Sequence, residues 1–397
     1  MPSPGSSRTA LAEIPTWRAG GFGLYVHWPF CEAKCPYCDF NSHVVSFVDQ
    51  DRWAAALASE IRRYGALTEG RVLNSIYFGG GTPSLMTPET VDTVLRAARE
   101  HWAWANDIEI TLEANPRSVE AGRFEGFARA GVNRVSLGVQ ALRPDDLRRL
   151  GRLHDVDEAM TAFDIAKQTF GRVSFDLIYA RQGQSLQDWE VELREALDHA
   201  ADHLSLYQLT IEQGTAFWDR ARAGKLRGLP DEDLSADMYI ATQEICEAAG
   251  VPAYEVSNHA APGAESRHNL VYWRGGDYVG VGPGAHGRVT LDGVRHASET
   301  PLAPGAWLQA AEGGSADSVF NPLSPSDILT EYVMMSLRLT EGLSVSRAAA
   351  MRANTLDETQ ITDLIGHGLL WRDGDRLGAT RDGRMVLNSL TGAVLTD

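Results

Sequence analysis

Leu24-Tyr-Val-His-Trp28 leads within three residues into Cys31-Glu-Ala-Lys-Cys35-Pro-Tyr-Cys38. The first stretch reads as a strand, and the second as a loop that carries chemistry. Five further short runs follow the pattern of the first: Ser75–Phe78, Ile108–Leu112, Arg134–Val139, Ser174–Tyr179 and His203–Leu209. They are rich in Val, Ile, Leu and aromatics and are bounded by turn or polar residues, as buried strands are. Helical periodicity fills the gaps. Trp53, Leu57, Ile61 and Tyr64 share one face, as do Val91, Leu95, Ala98 and Trp102. Leu186, Trp189, Leu193 and Leu197 follow a Ser185/Asp188 capping box. Leu234, Met238, Ala241, Ile245 and Ala248 form a last stripe, closed by Gly250. Strand–helix alternation of this kind implies an α/β fold with a parallel sheet and right-handed crossovers. It does not decide between an open doubly wound sheet and a barrel or partial barrel. Either way the site lies at the C-terminal ends of the strands, and polar residues gather there. The cysteines follow strand one and Gly79-Gly80-Gly81-Thr82-Pro83 follows strand two. Glu113 and Gln140 end strands three and four, and Asp176 lies within strand five.

The composition bounds the function. The 397 residues are 44% hydrophobic and 22% charged, as in a soluble globular chain of two or more domains. A net charge of −17 argues against a general nucleic-acid binder. No apolar run approaches the roughly 20 residues of a transmembrane helix. The Pro/Ser/Gly leader has no signal-peptide core, so a cytoplasmic location is expected. Four segments are predicted: a disordered leader over 1–20, an α/β core over 21–250, an extension and linker over 251–325, and a C-terminal unit over 326–397. Residues 251–300 read as short strands and loops rich in Gly, aromatics and His, and 301–325 as a Pro/Ser/Gly linker. The tail reads helix, short helix, helix, hairpin, helix, with Asp373-Gly374 as the hairpin signal. That order suggests a winged-helix-like module. It lacks a basic cluster, so a packing or lid role outweighs DNA binding.

Of four cysteines, three fall within eight residues, which reads as metal or redox chemistry rather than disulfide stapling. Structural zinc takes four protein ligands, so a zinc knuckle would need His27 or His43 as the fourth. A cubane iron–sulfur cluster can accept three cysteines and leave one iron open for a chelating substrate. Cys246 lies by an apolar helical stripe and reads as a small buried hydrophobe. Gly282-Pro-Gly284-Ala-His-Gly287 spells G-x-G-x-x-G, but strand and turn follow it, so a dinucleotide fold is rejected.

The C-x3-C-x2-C loop after the first strand, with Tyr37 before its third cysteine, resembles the radical S-adenosylmethionine (SAM) superfamily over nearly the whole chain. Tyr25-Val-His-Trp-Pro-Phe-Cys31, Gly79-Gly-Gly-Thr-Pro-Ser84 and Asp176-Leu-Ile-Tyr179 resemble the oxygen-independent coproporphyrinogen III oxidase group. The true oxidases carry a further cysteine two places after the third cluster cysteine, and a longer N-terminal extension. Here Phe40 stands at that place, as in the HemW haem chaperones, whose His-Asn-x-x-Tyr-Trp motif appears as His268-Asn269-Leu-Val-Tyr272-Trp273.

The HemW-like resemblance implies a partial (β/α)6 barrel with a C-terminal α+β extension. It implies a [4Fe–4S] cluster on Cys31, Cys35 and Cys38, with SAM on its open iron. Tyr25, Tyr37, Gly81, Thr82, Pro83, Glu113, Gln140, Arg152 and Asp176 match positions that line the SAM site. The chemistry agrees: acidic groups suit the amino group, ribose and sulfonium of SAM, and Arg152 suits its carboxylate. His268 would be the axial ligand of haem, carried as cargo, with Tyr272 and Trp273 offering flat apolar surface. His259 and His286 are weaker candidates. The implied partners are haem, acceptor haemoproteins such as respiratory enzymes, and a second copy in a homodimer. The competing expectation is an enzyme that oxidatively decarboxylates coproporphyrinogen III to protoporphyrinogen IX; Phe40 and the His268 motif favour cargo over substrate. His268 is expected to lie in a segment separable from the SAM site.

Overall fold

The structure, a computed structural model, describes residues 16–119, 121–199, 202–351 and 356–395. Each of the six apolar runs is a strand: β1 (Phe22–Trp28), β2 (Val72–Gly80), β3 (Ala103–Ala114), β4 (Arg134–Gln140), β5 (Arg172–Tyr179) and β6 (His203–Gln208). Helices α1 (Gln50–Leu67), α2 (Pro88–His101), α3 (Ala121–Ala130), α4 (Val156–Thr169) and α5 (Leu186–Asp198) lie between them. The six strands pair in parallel, in sequence order. A doubly wound sheet reverses its order at a switch point. This one does not, so it is wound as a barrel.

The barrel stays open because both rims are occupied. Antiparallel β7 (Asn258–Ala260) pairs with β6. Parallel β8 (Asp277–Val281) pairs with β1, and antiparallel β9 (His286–Leu291), β10 (Val294–Glu299) and β11 (Val319–Pro322) continue outward. The eleven-stranded sheet is therefore mixed, not purely parallel. Gly282–Gly287 spans the turn from β8 into β9, with no helix following, as its rejected dinucleotide reading requires.

The barrel strands are two-faced. Leu24, Ile76, Leu112, Leu137, Phe175 and Leu204 face the helices in one buried core with Trp53, Leu57 and Leu95. The alternate positions carry polar groups that meet one another across strands. Ser174 Oγ donates to Ser136 Oγ (3.0 Å) and Ser136 Oγ to Asp176 Oδ1 (3.2 Å). Glu109 accepts from Arg134 (2.9 Å) and Arg172 (2.7 Å). Buried polar groups are costly unless satisfied, so this inner face is built to hold polar contents rather than a packed apolar core.

Several expectations change. Of the leader, 1–15 lie outside the described residues, while Thr16–Gly20 form a short helix. On α6 (Glu232–Ala248) the buried face is Met238, Thr242, Gln243 and Cys246, rotated from the predicted stripe. Thr242 and Gln243 tolerate burial because Trp189 Nε1 donates to Thr242 Oγ1 (2.8 Å) and Gln243 contacts His259 (3.2 Å). Residues 301–325 are not a free linker: α8 (Pro304–Glu312) buries Trp307 flat against Trp53, 5.3 Å between rings at 9°. Within 251–300, the His268–Trp273 motif forms part of α7 (Arg267–Trp273) rather than a loop.

The tail packs around its own core of Leu329, Val333, Leu343, Ile361, Leu370 and Leu377. It runs α9 (Pro325–Ser336), α10 (Val345–Ala350), α11 (Glu358–Gly366), then the hairpin β12 (Leu370–Asp373) and β13 (Arg376–Ala379). Asp373 pairs with Arg376, so the two loop residues are Gly374 and Asp375, one place later than predicted.

Candidate cluster and cofactor site

The C-terminal ends of the strands are shaped by unusual backbone. Gly80 (φ 113°), Gln140 (φ 72°) and Ala180 (φ 57°) end or follow β2, β4 and β5 in the left-handed region. For Gln140 and Ala180 that conformation costs energy, and such strain gathers at functional sites.

Immediately above β1, Phe30–Cys31 pairs with His43–Val44 and closes the cysteine loop. The Gly79–Pro83 turn is bound to it: Gly81 N donates to Trp28 O (2.7 Å) and Thr82 N to Phe30 O (2.9 Å). A Cβ at Gly81 would stand 3.0 Å from Cys31 Sγ and 2.8 Å from Phe30 O, so only glycine allows this approach. The three thiols are half-buried on one loop. Thr82 Oγ1 donates to Cys31 Sγ (3.4 Å) and Arg152 Nη1 to Cys35 Sγ (3.3 Å). Burial pushes the Cys31 and Cys38 thiols up in the bare protein.

The histidines that a zinc knuckle would need are engaged elsewhere. His27 uses both ring nitrogens, on Tyr25 Oη (2.9 Å) and Asn41 O (2.9 Å), and His43 Nε2 lies on Asn41 Oδ1 (3.1 Å). Three thiols with hydrogen-bond donors and these histidines engaged fit a cubane cluster with an open iron better.

Below the loop, Glu113 accepts from Tyr77 Oη (2.7 Å) and Gly80 N (3.2 Å). Burial pushes its carboxyl up to about 7, and that of Asp176 up to about 6. Both keep some exposed surface although protein surrounds them, as groups lining a deep recess do. Arg152 also donates to Gly138 O (2.9 Å), and its buried Nε has no partner. Gln140 folds back so that its Nε2 lies 2.9 Å from where a Gly138 Cβ would be. Two carboxyls poised near neutrality and a guanidinium with a spare donor suit a ligand bearing both ammonium and carboxylate, which SAM does. Tyr37 joins the loop to a small apolar cluster, with Phe217 at 6.4 Å between rings. Pro83 opens the short 3-10 turn Pro83–Leu85. Tyr25 lies deeper, on the inner face.

His268 is also inside. Helix α7 packs against β1, β2 and β8, and Glu109 caps it by accepting from Arg267 N (2.9 Å) and His268 N (3.3 Å). The imidazole is buried, with Nδ1 on Ser75 Oγ (2.8 Å) and Nε2 on Tyr272 Oη (2.8 Å). It stacks on Tyr77 (5.0 Å) and Tyr25 (6.2 Å). Burial pushes it down to about 3, so it is neutral at physiological pH. The expected separation of His268 from the residues expected to line a SAM site is therefore corrected: one aromatic stack joins it to Tyr25 and Tyr77. Of the alternatives, His259 is buried and His286 is exposed, 3.9 Å from Glu299. Cys246 is buried, its thiol pushed up to about 12 by desolvation, as a small hydrophobe would be.

Sequence reasoning took His27 only as a possible zinc ligand and missed Tyr77, Ser136 and Asn41. Asn41 Nδ2 donates to Pro283 O and Leu302 O (both 2.9 Å), tying the cysteine loop to the extension. The signal for His27, Tyr77 and Ser136 was the strand alternation itself: each lies two or four residues from a predicted site residue.

Residues 25–196 match the family model of the radical SAM superfamily, and 323–386 that of the HemN C-terminal domain. The chain is 39% identical to Heme chaperone HemW of Escherichia coli (strain K12), over 92% of this chain and 96% of that protein. It is 38% identical to Radical S-adenosyl methionine domain-containing protein 1, mitochondrial, of Mus musculus, over 98% of this chain and 88% of that one. Among solved structures it is similar to coproporphyrinogen III oxidase (HemN) from Escherichia coli, with a TM-score of 0.78 at 23% identity, covering 94% of this chain and 90% of that one. That likeness is one of fold.

Proposed function

The chain belongs to the HemW-like family of the radical SAM superfamily, and from that premise we propose that it is a haem chaperone, which binds haem and passes it to acceptor haemoproteins such as respiratory enzymes. The observation that carries this reading is the near full-length similarity to proteins named as haem chaperones. Phe40, 59% exposed beside the cysteine loop where the oxidases have a cysteine, supports cargo over substrate.

Membership of the superfamily implies a [4Fe–4S] cluster and SAM. We assign the cluster to Cys31, Cys35 and Cys38, and SAM to the recess of Tyr25, Tyr37, Gly81, Thr82, Pro83, Glu113, Gln140, Arg152 and Asp176. When bound, these groups supply reductive cleavage of a sulfonium. The chain's own residues set the surroundings: Thr82 and Arg152 donate to the sulfurs, while Glu113 and Asp176 offer negative charge to a cation and exchange protons near neutral pH. We assign His268 to haem iron. Because both its nitrogens are engaged, ligation requires Tyr272 or Ser75 to release the ring.

A homodimer and a cytoplasmic location belong to the same reading. Reduced thiols persist in the cytosol, and no helix among the described residues is long and apolar enough to cross a membrane. A haem titration beside an anaerobic assay with coproporphyrinogen III tests the reading. Stoichiometric haem binding without decarboxylation supports it, and decarboxylation over many turnovers replaces it with the oxidase.

A further inference from the structure

A cavity of about 510 Å³ lies where the ends of β5 and β6 meet the start of α6 and the C-terminal module. It adjoins the recess assigned to SAM: its lining residue Leu209 also packs in the apolar cluster that holds Tyr37. Gln208 lines the cavity, while Tyr207, its neighbour on β6, sits with Asp176 and Glu113.

Leu209, Leu229, Pro230, Val256 and Met385 give the cavity broad apolar surface. Tyr239 and Arg384 bring polarity and lie against each other, and Arg384 Nε is buried without a hydrogen-bond partner. The contrast with Arg381 is informative. Arg381 pins the module to α6 through Glu244 (3.4 Å) and Glu247 (2.7 Å). Arg384, one turn later, has no salt bridge among the described residues. The acidic lining is committed or at the mouth: Asp231 caps α6 through Leu234 N (2.9 Å), and Glu232 is exposed. Unpaired buried donors are rare in folded proteins because they forfeit water without return. Here the Arg384 Nε lines an apolar cavity within the usual size range for a small-molecule site.

We propose that this cavity binds a tetrapyrrole by its carboxylate edge, the macrocycle lying on the apolar wall and a propionate accepting from Arg384 and Tyr239. The planar Arg384 guanidinium suits a carboxylate, and the broad apolar wall suits a flat macrocycle rather than a small hydrated anion. The proposal rests on the haem reading for the identity of the ligand and assigns the contact that holds its acid groups. It is independent of iron, since no metal bond is needed for a propionate to pair with arginine.

The test uses the full chain with its cluster reconstituted. Metal-free protoporphyrin IX and its dimethyl ester are titrated by fluorescence into wild type and Arg384→Gln. The acid should bind wild type about tenfold or more tighter than the ester, as expected for a charged hydrogen bond. In Arg384→Gln the acid should fall to the ester's affinity while the ester is unchanged. The comparison of acid with ester in wild type needs no variant, so a misfolded Arg384→Gln cannot shield the proposal. Equal binding of acid and ester to wild type overturns it, as does an unchanged acid affinity in a folded Arg384→Gln. Displacement of protoporphyrin by equimolar palmitate would assign the cavity to a fatty acid and also overturn it. If haemin binds wild type and Arg384→Gln alike, the cavity assignment fails and the chaperone reading stands. If no porphyrin binds at all, both fail.

Discussion

His268 and Tyr77 lie ring over ring, centroids 5.0 Å apart and 18° from parallel, and the Tyr77 hydroxyl continues to Glu113 at 2.7 Å. The histidine that we assign to haem is thus mechanically joined to a carboxylate of the recess that we assign to SAM. His268→Ala removes a buried ring and strands Ser75 and Tyr272. We expect a loss of about 2–4 kcal/mol of stability, read as a lower urea midpoint, together with weaker SAM binding. His268→Phe keeps the stack without the nitrogens; it should retain SAM affinity and lose the haem Soret signature. Unchanged stability and SAM affinity in His268→Ala would contradict the coupling.

The carboxyls predict a pH effect with a definite sign. Glu113 rises from 4.5 to about 7 and Asp176 from 3.8 to about 6, in both cases chiefly by desolvation. A carboxyl whose folded value lies above its unfolded value holds its proton more tightly when folded. Its contribution therefore falls as pH rises from its unfolded value to its folded one, here from about pH 4 to 7. Glu113→Gln should flatten that part of the stability profile. A cation that needs the ionised form should bind more tightly at pH 8 than at pH 6 and release protons on binding near pH 6.5. Calorimetry of SAM in two buffers of different ionisation enthalpy reads this directly; no proton release would refute it.

Arg152 and Cys35 should separate by assay. Cys35→Ala is expected to lose the brown colour and about four irons per chain, whereas stoichiometric zinc in the wild type would sink the cluster assignment. Arg152→Lys should keep the iron and weaken SAM by about tenfold, because a point charge cannot reproduce the guanidinium fork that reaches both Cys35 Sγ and Gly138 O. Iron content measured beside SAM affinity checks both.

The α/β core was legible because its outward strand faces and helix faces carry clear periodic patterns. Its winding was not, because periodicity is the same in a doubly wound sheet and a barrel; strand order resolves it. The inner face was legible in principle: Ser75-Tyr77-Gly79, Glu109-Thr111-Glu113 and Arg134-Ser136-Gly138 alternate polar or small residues with apolar ones. The apolar residues of the same strands carry the stronger periodic signal and overlie that second period. Trp307 marks another blind spot. Pro and Gly around it suggested a linker, but one short helix with Trp307, Leu308 and Ala311 on a face suffices to join the main core. Trp307→Ala should cost about 3–5 kcal/mol, by thermal or urea unfolding. A linker residue would cost almost nothing.

Phe40 gives a specificity prediction. With reductant and SAM, the cluster-loaded protein should leave coproporphyrinogen III unconsumed, and Phe40→Cys alone should not create turnover, since substrate placement depends on many contacts. Steady formation of protoporphyrinogen IX by the wild type would overturn the preference for cargo.

Haem transfer tests the central claim most directly. Haem-loaded, cluster-reconstituted protein is mixed anaerobically with an apo-haemoprotein of the respiratory chain, and the acceptor's Soret band and activity are followed against an equal amount of free haem. The account predicts that haem leaves this chain and that the acceptor gains activity faster than with free haem. Haem that stays bound, or an acceptor restored no faster than by free haem, would contradict it.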